Sequence, residues 1–252
     1  MSTPLEEHHG EAETFVRSLE RGIAVLRAFD GQPPELTLSE VAARTGMSAA
    51  SARRYLMTLH ALGYLGLDNR RFRPLPRLLE LAFPYFASSN LTRAMESELA
   101  GLADRLDESC ALTVLDQLDA TNVFCVNAPE GLSIQLRVGR RLPTYCTAMG
   151  RALLSGHGED ELRAHLAAST LVEHTPHTVT DVDELLGLIR SVAERGHAIG
   201  DQEYEAGVRT IAMPVHDSAG RVFAAASVST PTVRVDLQRL TCEIRDDLAA
   251  TV

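Results

Sequence analysis

The stretch Leu36–Arg73, reading LTLSEVAARTG, MSAASARRYLMTLHALGYL and GLDNRRFR in turn, decides how this chain is understood. Thr37 and Glu40 stand at capping-box spacing ahead of Val41 and Ala42, which opens a helix there. Gly46 suits the left-handed turn that closes it. Ser48 is an N-cap for a second helix running to about Leu62, with Gly63 placed to stop it. Ala52, Tyr55, Leu56, Leu59 and Leu62 recur at helical spacing and make its core face. Ala49, Ala50, Ser51, Arg53, Arg54 and Met57 are left facing outward. Asp68-Asn69 is turn chemistry between two short runs, Tyr64–Leu67 and Arg71–Arg73. Helix, tight turn, helix and basic hairpin together make the pattern of a winged helix-turn-helix.

That pattern points to double-stranded DNA. Small residues at the start of the second helix let its backbone approach base edges, and arginine can fork onto a guanine or a phosphate. Ser48, Ala49, Ser51, Arg53 and Arg54 are therefore the groove candidates. Arg70, Arg71 and Arg73 on the hairpin suit backbone phosphates. The plain alternative is a solvated helical hairpin inside another α domain, and the basic wing at this distance favours DNA.

The 252 residues suffice for two domains with their own cores. No apolar run approaches a membrane span and the acidic start lacks a signal-peptide core, so a cytoplasmic location is expected, with no membrane partner. Cys110, Cys125, Cys146 and Cys242 are far apart and fit no zinc spacing; they read as reduced thiols. Net charge is −10, which taken whole argues against DNA. By segment it does not. Residues 14–89 carry ten Arg against six acids, a net of +4, while residues 90–252 carry fourteen Arg against twenty-four acids. The positive charge is confined to the part that carries the helix-turn-helix.

The chain divides accordingly into a disordered tail at 1–13, a winged helix-turn-helix domain at 14–75, a linker helix at 76–90 and a larger domain at 91–252. Phe15–Phe29 is expected as a helix with Leu19, Ile23 and Leu26 on one face. The helix from Arg77 to about Ser88, with Leu78, Leu79, Leu81, Ala82 and Phe86, is apolar enough to be packed, and is a possible dimer surface. Beyond it come a helix at Leu91–Leu106, strands at Cys110–Leu118, Thr121–Ala128 and Ile134–Val138, and a turn at Asp119–Thr121. Helices follow at Thr147–Ser155, Glu159–Ala168 and Val182–Glu194. Strands at Ala198–Tyr204, Thr210–Val215 and Val222–Ser229 precede a final helix, Asp236–Ala250. Hairpins without βαβ alternation predict an α+β domain on an antiparallel sheet.

The blocks FVRSLERGIAVLRAF, LTLSEVAARTGMSAASARRYLMTLHALGYL, LPTYCTAMGRALL, GHAIGDQEYEAGVRTIAMPV and GRVFAAASVST, in this order, resemble the IclR family of bacterial transcription regulators over about Phe15 to Val252. The first block and the ASARRYLMTL helix look most like the subgroup controlling protocatechuate, 4-hydroxybenzoate and β-ketoadipate catabolism. The resemblance implies a GAF-like C-terminal effector domain, a homodimer or homotetramer, and a small organic acid bound in that domain.

The loop Leu142–Thr147 runs into a helix for which Thr147 is the N-cap candidate. Free amides near Ala148, Met149 and Gly150 would face whatever sits there, and a helix start favours a carboxylate. By family pattern Gly200, Val208, Thr210, Ser227 and Ser229 lie opposite, and Ser227 and Ser229 share one face of a strand. The plain alternative is that Thr147 only caps and the serines are small core residues. Some family members carry an acid where Gly200 stands and a cysteine where Thr210 stands. Glycine would remove a carboxylate and leave room for a larger ligand, and Met149, Tyr145 and Val208 would supply apolar walls. A ring-bearing acid fits that description better than a two- or three-carbon acid. Arg137, Arg140, Arg141 and Arg209 are the cations nearby in sequence, and arginine is more often a surface residue.

Two other classes compete. An enzyme could use Glu203 and Glu205 as an acid/base pair, or Cys146 as a nucleophile. No nucleophile elbow, P-loop, GxGxxG or HExxH is present, and the histidines have no ligand spacing, so no catalytic residue, cofactor or metal is assigned. A thiol sensor built on Cys146 or Cys125 would need a lowered thiolate pKa.

Overall fold

The structure, a computed structural model, describes residues 14–31, 33–88, 90–128 and 134–252. The tail at 1–13 with its His8-His9 pair lies outside these residues, as do the side chains of Phe86 and Leu91. The chain forms two compact units, with the division between Ser88 and Ser89.

The first unit opens with α1, Arg17–Arg27. A two-residue strand, β1 at Leu36–Thr37, leads into α2 at Leu38–Thr45 and α3 at Ala49–Ala61. Local chemistry sets both helix starts. Thr37 and Glu40 close the expected capping box: the Thr37 amide donates to Glu40 Oε2 at 2.6 Å and the Glu40 amide to Thr37 Oγ1 at 3.3 Å. Ser48 Oγ accepts from the Ser51 amide. Gly46 has φ 67° and Gly63 φ 81°, both left-handed, so the turn and the stop stand where the glycines are.

β2, Leu65–Asp68, and β3, Arg71–Pro74, form the wing, and β1 pairs with β3 as a third strand absent from the expectation. The two-residue turn is Asn69-Arg70, both at positive φ, one residue later than Asp68-Asn69. Val25, Phe29, Leu36, Val41, Leu56, Leu65 and Phe72 make the core. Leu62 is exposed, contrary to its expected core position, because the helix ends at Ala61. On α1 the buried residue is Val25, while Leu19 and Ile23 face solvent. A turn beginning at Pro76 runs into α4, Leu79–Ser88; Leu79 and Leu81 are exposed there within the single chain, against the expectation of a packed helix.

The second unit is built on α5, Asn90–Leu106, and a six-stranded antiparallel sheet. Its strands are β4 at Ser109–Asp116, β5 at Asp119–Val126, β6 at Arg141–Pro143, β7 at Ala198–Asp201, β8 at Val208–His216 and β9 at Val222–Pro231. Their order across the sheet is β6-β5-β4-β9-β8-β7. Between β6 and β7 stand α6, Ala148–Leu154, α7, Glu159–Ala168, and α8, Val182–Arg195. A closing helix, α9, runs through Leu237–Arg239, a π-helical stretch Leu240–Ile244 and Arg245–Ala249. β9 is buried from Ala224 to Pro231, so its side chains are small, a mix of Ala, Val, Ser and Thr without polar alternation. One sheet face gives Cys110, Leu112, Ala226 and Val228 to a core with Leu99, Leu102, Leu240 and Ile244. The other gives Ala212 and Ala225 to a core with Ala148, Met149 and Ala152 of α6.

Two expectations fail. The turn between β4 and β5 is at Gln117-Leu118, not Asp119–Thr121, because Asp116 already pairs with Asp119 and Gln117 takes φ 56°. Ile134–Val138 is not a strand. The Asn127 side chain takes the place of a ladder partner there: its Oδ1 accepts from the Leu136 amide at 2.6 Å and its Nδ2 donates to the Leu136 carbonyl at 3.1 Å. Among the described residues no helix is long and apolar enough to cross a membrane.

Candidate DNA-contacting face and effector cleft

On α3 the buried positions Ala52 and Leu56 fix which side faces out. Ser48, Ala49, Arg53 and Arg54 are exposed, and Ser51 is half-buried beside the cap. Thr58 Oγ1 donates back to the Arg54 carbonyl, which leaves the Arg54 side chain unengaged by that neighbour. On the wing Arg70 is at the tip and Arg73 is exposed on β3. Arg71 differs from both. Its guanidinium donates to the Glu35 carbonyl at 3.3 Å and lies 3.7 Å from Glu40. Arg71 thus ties the wing to the start of α2. Glu40, held by the Thr37 amide and hydroxyl and by Arg71, has its carboxyl below the usual range.

The second unit carries a cleft of about 490 Å³, counting the space open to solvent, on the α6 side of the sheet. Cys146, Thr147, Ala148, Met149, Gly200, Val208, Thr210 and Ser229 all line it. Thr210 and Ser229 are register partners on β8 and β9, and their hydroxyls meet at 3.0 Å. Met149, Val208, Leu136 and Leu142 give apolar wall, and Arg140, Gln202, Glu203, Tyr204 and Glu205 complete the rim and sides. Those five, and Leu136 with Leu142, lie outside the expected set. Leu142 stands on β6 and the others come from loops; their approach to the helix depends on tertiary packing, although Arg140 is among the nearby cations.

Two expected residues stand apart from the cleft. Tyr145 is buried with its hydroxyl donating to the Val172 carbonyl at 2.7 Å and accepting from the Val172 amide at 2.8 Å. Its ring stacks on His174, and burial pushes its phenol up to about 12. It straps the segment before α8 rather than walling a ligand. Ser227 lies on the same sheet face as Ser229 but is fully buried between Ala212 and Ala111, its hydroxyl without a partner.

At the start of α6 Thr147 is the N-cap, as expected, but one of the amides expected to be free is not. Thr147 Oγ1 accepts from the Gly150 amide at 3.3 Å, so that amide is taken. Thr147 Oγ1 in turn donates to the Pro143 carbonyl at 2.6 Å, fixing the turn into the helix. A Cβ on Gly200 would stand 3.3 Å from the Ala148 nitrogen. The glycine therefore lets β7 come close to the helix start, in addition to opening the cleft.

Beneath the cleft, Arg151 of α6 is buried and paired with Glu203. Its Nη1 donates to Glu203 Oε1 at 2.7 Å and its Nε to the Tyr145 carbonyl at 2.9 Å, while its Nη2 also contacts Glu203 Oε2. Glu203 is therefore an ion-pair partner, and Glu205 reaches Arg140 instead, so the two glutamates do not form an acid/base pair. Burial pushes the Cys146 thiol up to about 12 and the Cys125 thiol up to about 11, which opposes the thiolate that nucleophilic or redox chemistry needs. Among the described residues no group of three metal-ligating side chains occurs.

A winged helix-turn-helix with outward arginines, joined to a sheet domain bearing an apolar cleft, is the build of a DNA-binding regulator with a sensor unit. The sequence profile described as the IclR helix-turn-helix domain matches residues 18–68, and that of the bacterial transcriptional regulator IclR C-terminal domain matches residues 83–252. The Pca regulon regulatory protein of Pseudomonas putida is 37% identical over 227 residues, covering 90% of this chain and 78% of that protein. The p-hydroxybenzoate hydroxylase transcriptional activator of Acinetobacter baylyi is 30% identical over 252 residues, covering 94% and 93%. A crystal structure of a protein from Rhodococcus sp. RHA1, described as a transcriptional regulator, superposes with a TM-score of 0.84 at 38% identity over 94% of this chain and 95% of that one. The chain belongs to the IclR family of bacterial transcriptional regulators. It is a DNA-binding transcriptional regulator and not an enzyme.

Proposed function

We propose that this regulator acts in the cytoplasm on genes of aromatic-acid catabolism, in or next to the β-ketoadipate pathway, and that it responds to an aromatic acid held in the cleft. The cleft carries the reading. Its apolar side walls suit a ring, and the paired Thr210 and Ser229 hydroxyls suit a phenolic or carboxyl oxygen. Support comes also from the relatives, one of which activates a p-hydroxybenzoate hydroxylase gene. The working effector set is Cys146, Thr147, Ala148, Met149, Gly200, Val208, Thr210 and Ser229. On the DNA side, Arg53 and Arg54 with Ser48, Ala49 and Ser51 read the groove, and Arg70 and Arg73 hold phosphates. A second copy of the chain covers the apolar residues left exposed on α1 and α4, giving a dimer or a pair of dimers.

Calorimetry with protocatechuate, 4-hydroxybenzoate, β-ketoadipate and pyruvate tests the sensor. Saturable binding of one ring-bearing acid is the expected outcome. Binding of pyruvate alone would keep the family and discard the aromatic effector.

A further inference from the structure

We infer that Arg140 receives the effector's carboxylate, and that Glu205 occupies Arg140 until the effector arrives. The inference rests on the sensor reading above and adds the residue that makes the cleft select an anion.

The four arginines nearest the cleft in sequence are not equivalent. Arg141 is turned to Asp116 and Asp119, at 2.6 and 2.8 Å. Arg209 is held by Asp201 at 2.6 Å and by the Val235 carbonyl at 3.0 Å. Arg137 is exposed and does not line the cleft. Arg140 does line it, and among the described lining residues it is the one cation. Arg151 lies beneath, but its fork is filled by Glu203 and by backbone carbonyls.

Arg140 is set up for exchange. Its guanidinium carbon stands 5.8 Å from the centre of the Tyr204 ring, which steadies the plane and leaves its edge nitrogens for an acceptor. Its ion pair with Glu205 is long, at 3.8 Å, with Glu205 exposed and Arg140 half-buried. Such a pair is weak and readily replaced. A ring carboxylate that takes both fork nitrogens makes a shorter, charge-assisted contact in a less hydrated place. Glu205 can leave without disturbing the wall. The base of its loop is pinned where Thr178 Oγ1 donates to the Glu203 carbonyl at 2.6 Å and Thr175 Oγ1 to the Gln202 carbonyl at 2.7 Å. One carboxylate replaces another at the guanidinium, so Arg140 is paired both before and after binding. A neutral analogue gains no such exchange.

The test is calorimetry of the full chain with 4-hydroxybenzoate and with protocatechuate, beside a thermal melt of each variant. For the acid that wild type binds, Arg140→Gln weakens binding by roughly tenfold or more, and Arg140→Lys by less. Glu205→Gln tightens binding severalfold, and adds nothing when Arg140→Gln is already present. Wild-type affinity in Arg140→Gln overturns the assignment, and so does tightening by Glu205→Gln that persists in the double variant. Should Arg140→Gln melt early, Glu205→Gln alone decides, and unchanged or weaker binding overturns the exchange. Binding of neither acid by wild type fails the sensor reading itself and takes this inference with it. Binding by wild type and all variants alike fails only the role of Arg140.

Discussion

Gly150 is where α6 is pressed hardest against its own approach loop. A Cβ there would stand 2.3 Å from the Thr144 Cα and carbonyl oxygen. Backbone cannot swing aside as a side chain can, so Gly150→Ala must move the loop or the helix. We expect it to cost ~1–3 kcal/mol, as overpacked cores do, read as a lower unfolding midpoint together with weaker effector binding. An unchanged midpoint would show that loop and helix separate freely. At this scale the sequence exposes part of the answer. Thr147 is legible as a cap because its partner is three residues away. Eight of the ten expected effector residues line one cleft, four of them placed by the helix start and its loop and four by family pattern. Tyr145 and Ser227 were misassigned because residue type alone does not say which side of a wall a side chain takes. Tyr145 has an apolar body and finds both its polar partners at Val172, 27 residues on. Arg151 carried no signal as the buried partner of Glu203, since 52 residues separate them. Removing one member of such a pair leaves an uncompensated buried charge, a cost of ~3–5 kcal/mol.

At the scale of elements, the proposed DNA contacts divide between α3 and the wing. An arginine on α3 that forks onto a guanine contributes ~1–3 kcal/mol of discrimination. Arg53→Ala and Arg54→Ala are therefore expected to weaken a specific operator by that amount, measured by titration against the operator and an unrelated duplex. Equal weakening on both duplexes would assign the arginine to phosphate instead. The helices α2, α3 and α8 were readable to within a residue or so at each end because caps and left-handed glycines are local signals. Strands were less so. β6 has three residues, too few to show a period, and Ile134–Val138 shows a β-rich composition without a strand to pair with. There the Asn127 amide serves one residue of backbone in place of a ladder, and no periodicity encodes that. On α1 Leu19, Ile23 and Leu26 share the expected face. Leu19 and Ile23 are apolar at helical spacing, but in the single chain Val25 holds the core.

For the whole molecule, charge is distributed unevenly along the chain. Residues 14–89 are net basic and residues 90–252 net acidic, so phosphate attracts one and repels the other. Leu79 is 72% exposed and Leu19 64%, and Phe15, Val16, Ile23 and Leu81 are exposed as well. Apolar stripes of this kind on a regulator call for a covering surface. We expect sedimentation velocity to give a dimer or a larger closed assembly, and Leu79→Glu or Leu19→Glu to shift it toward monomer with the fold retained by circular dichroism. A monomeric wild type would leave those stripes unexplained by self-association.

The wing tip has a consequence for how this molecule could be hardened. Asn69 and Arg70 sit at φ 45° and 67°, the left-handed region where a side chain costs ~1–2 kcal/mol relative to glycine. An Asn-Gly tip would relax the hairpin and remove the cation at its apex. A lineage screened only for heat resistance would drift toward that glycine and lose the cation proposed to hold a phosphate, so thermal ranking of variants at this turn selects a tougher scaffold at the expense of that contact.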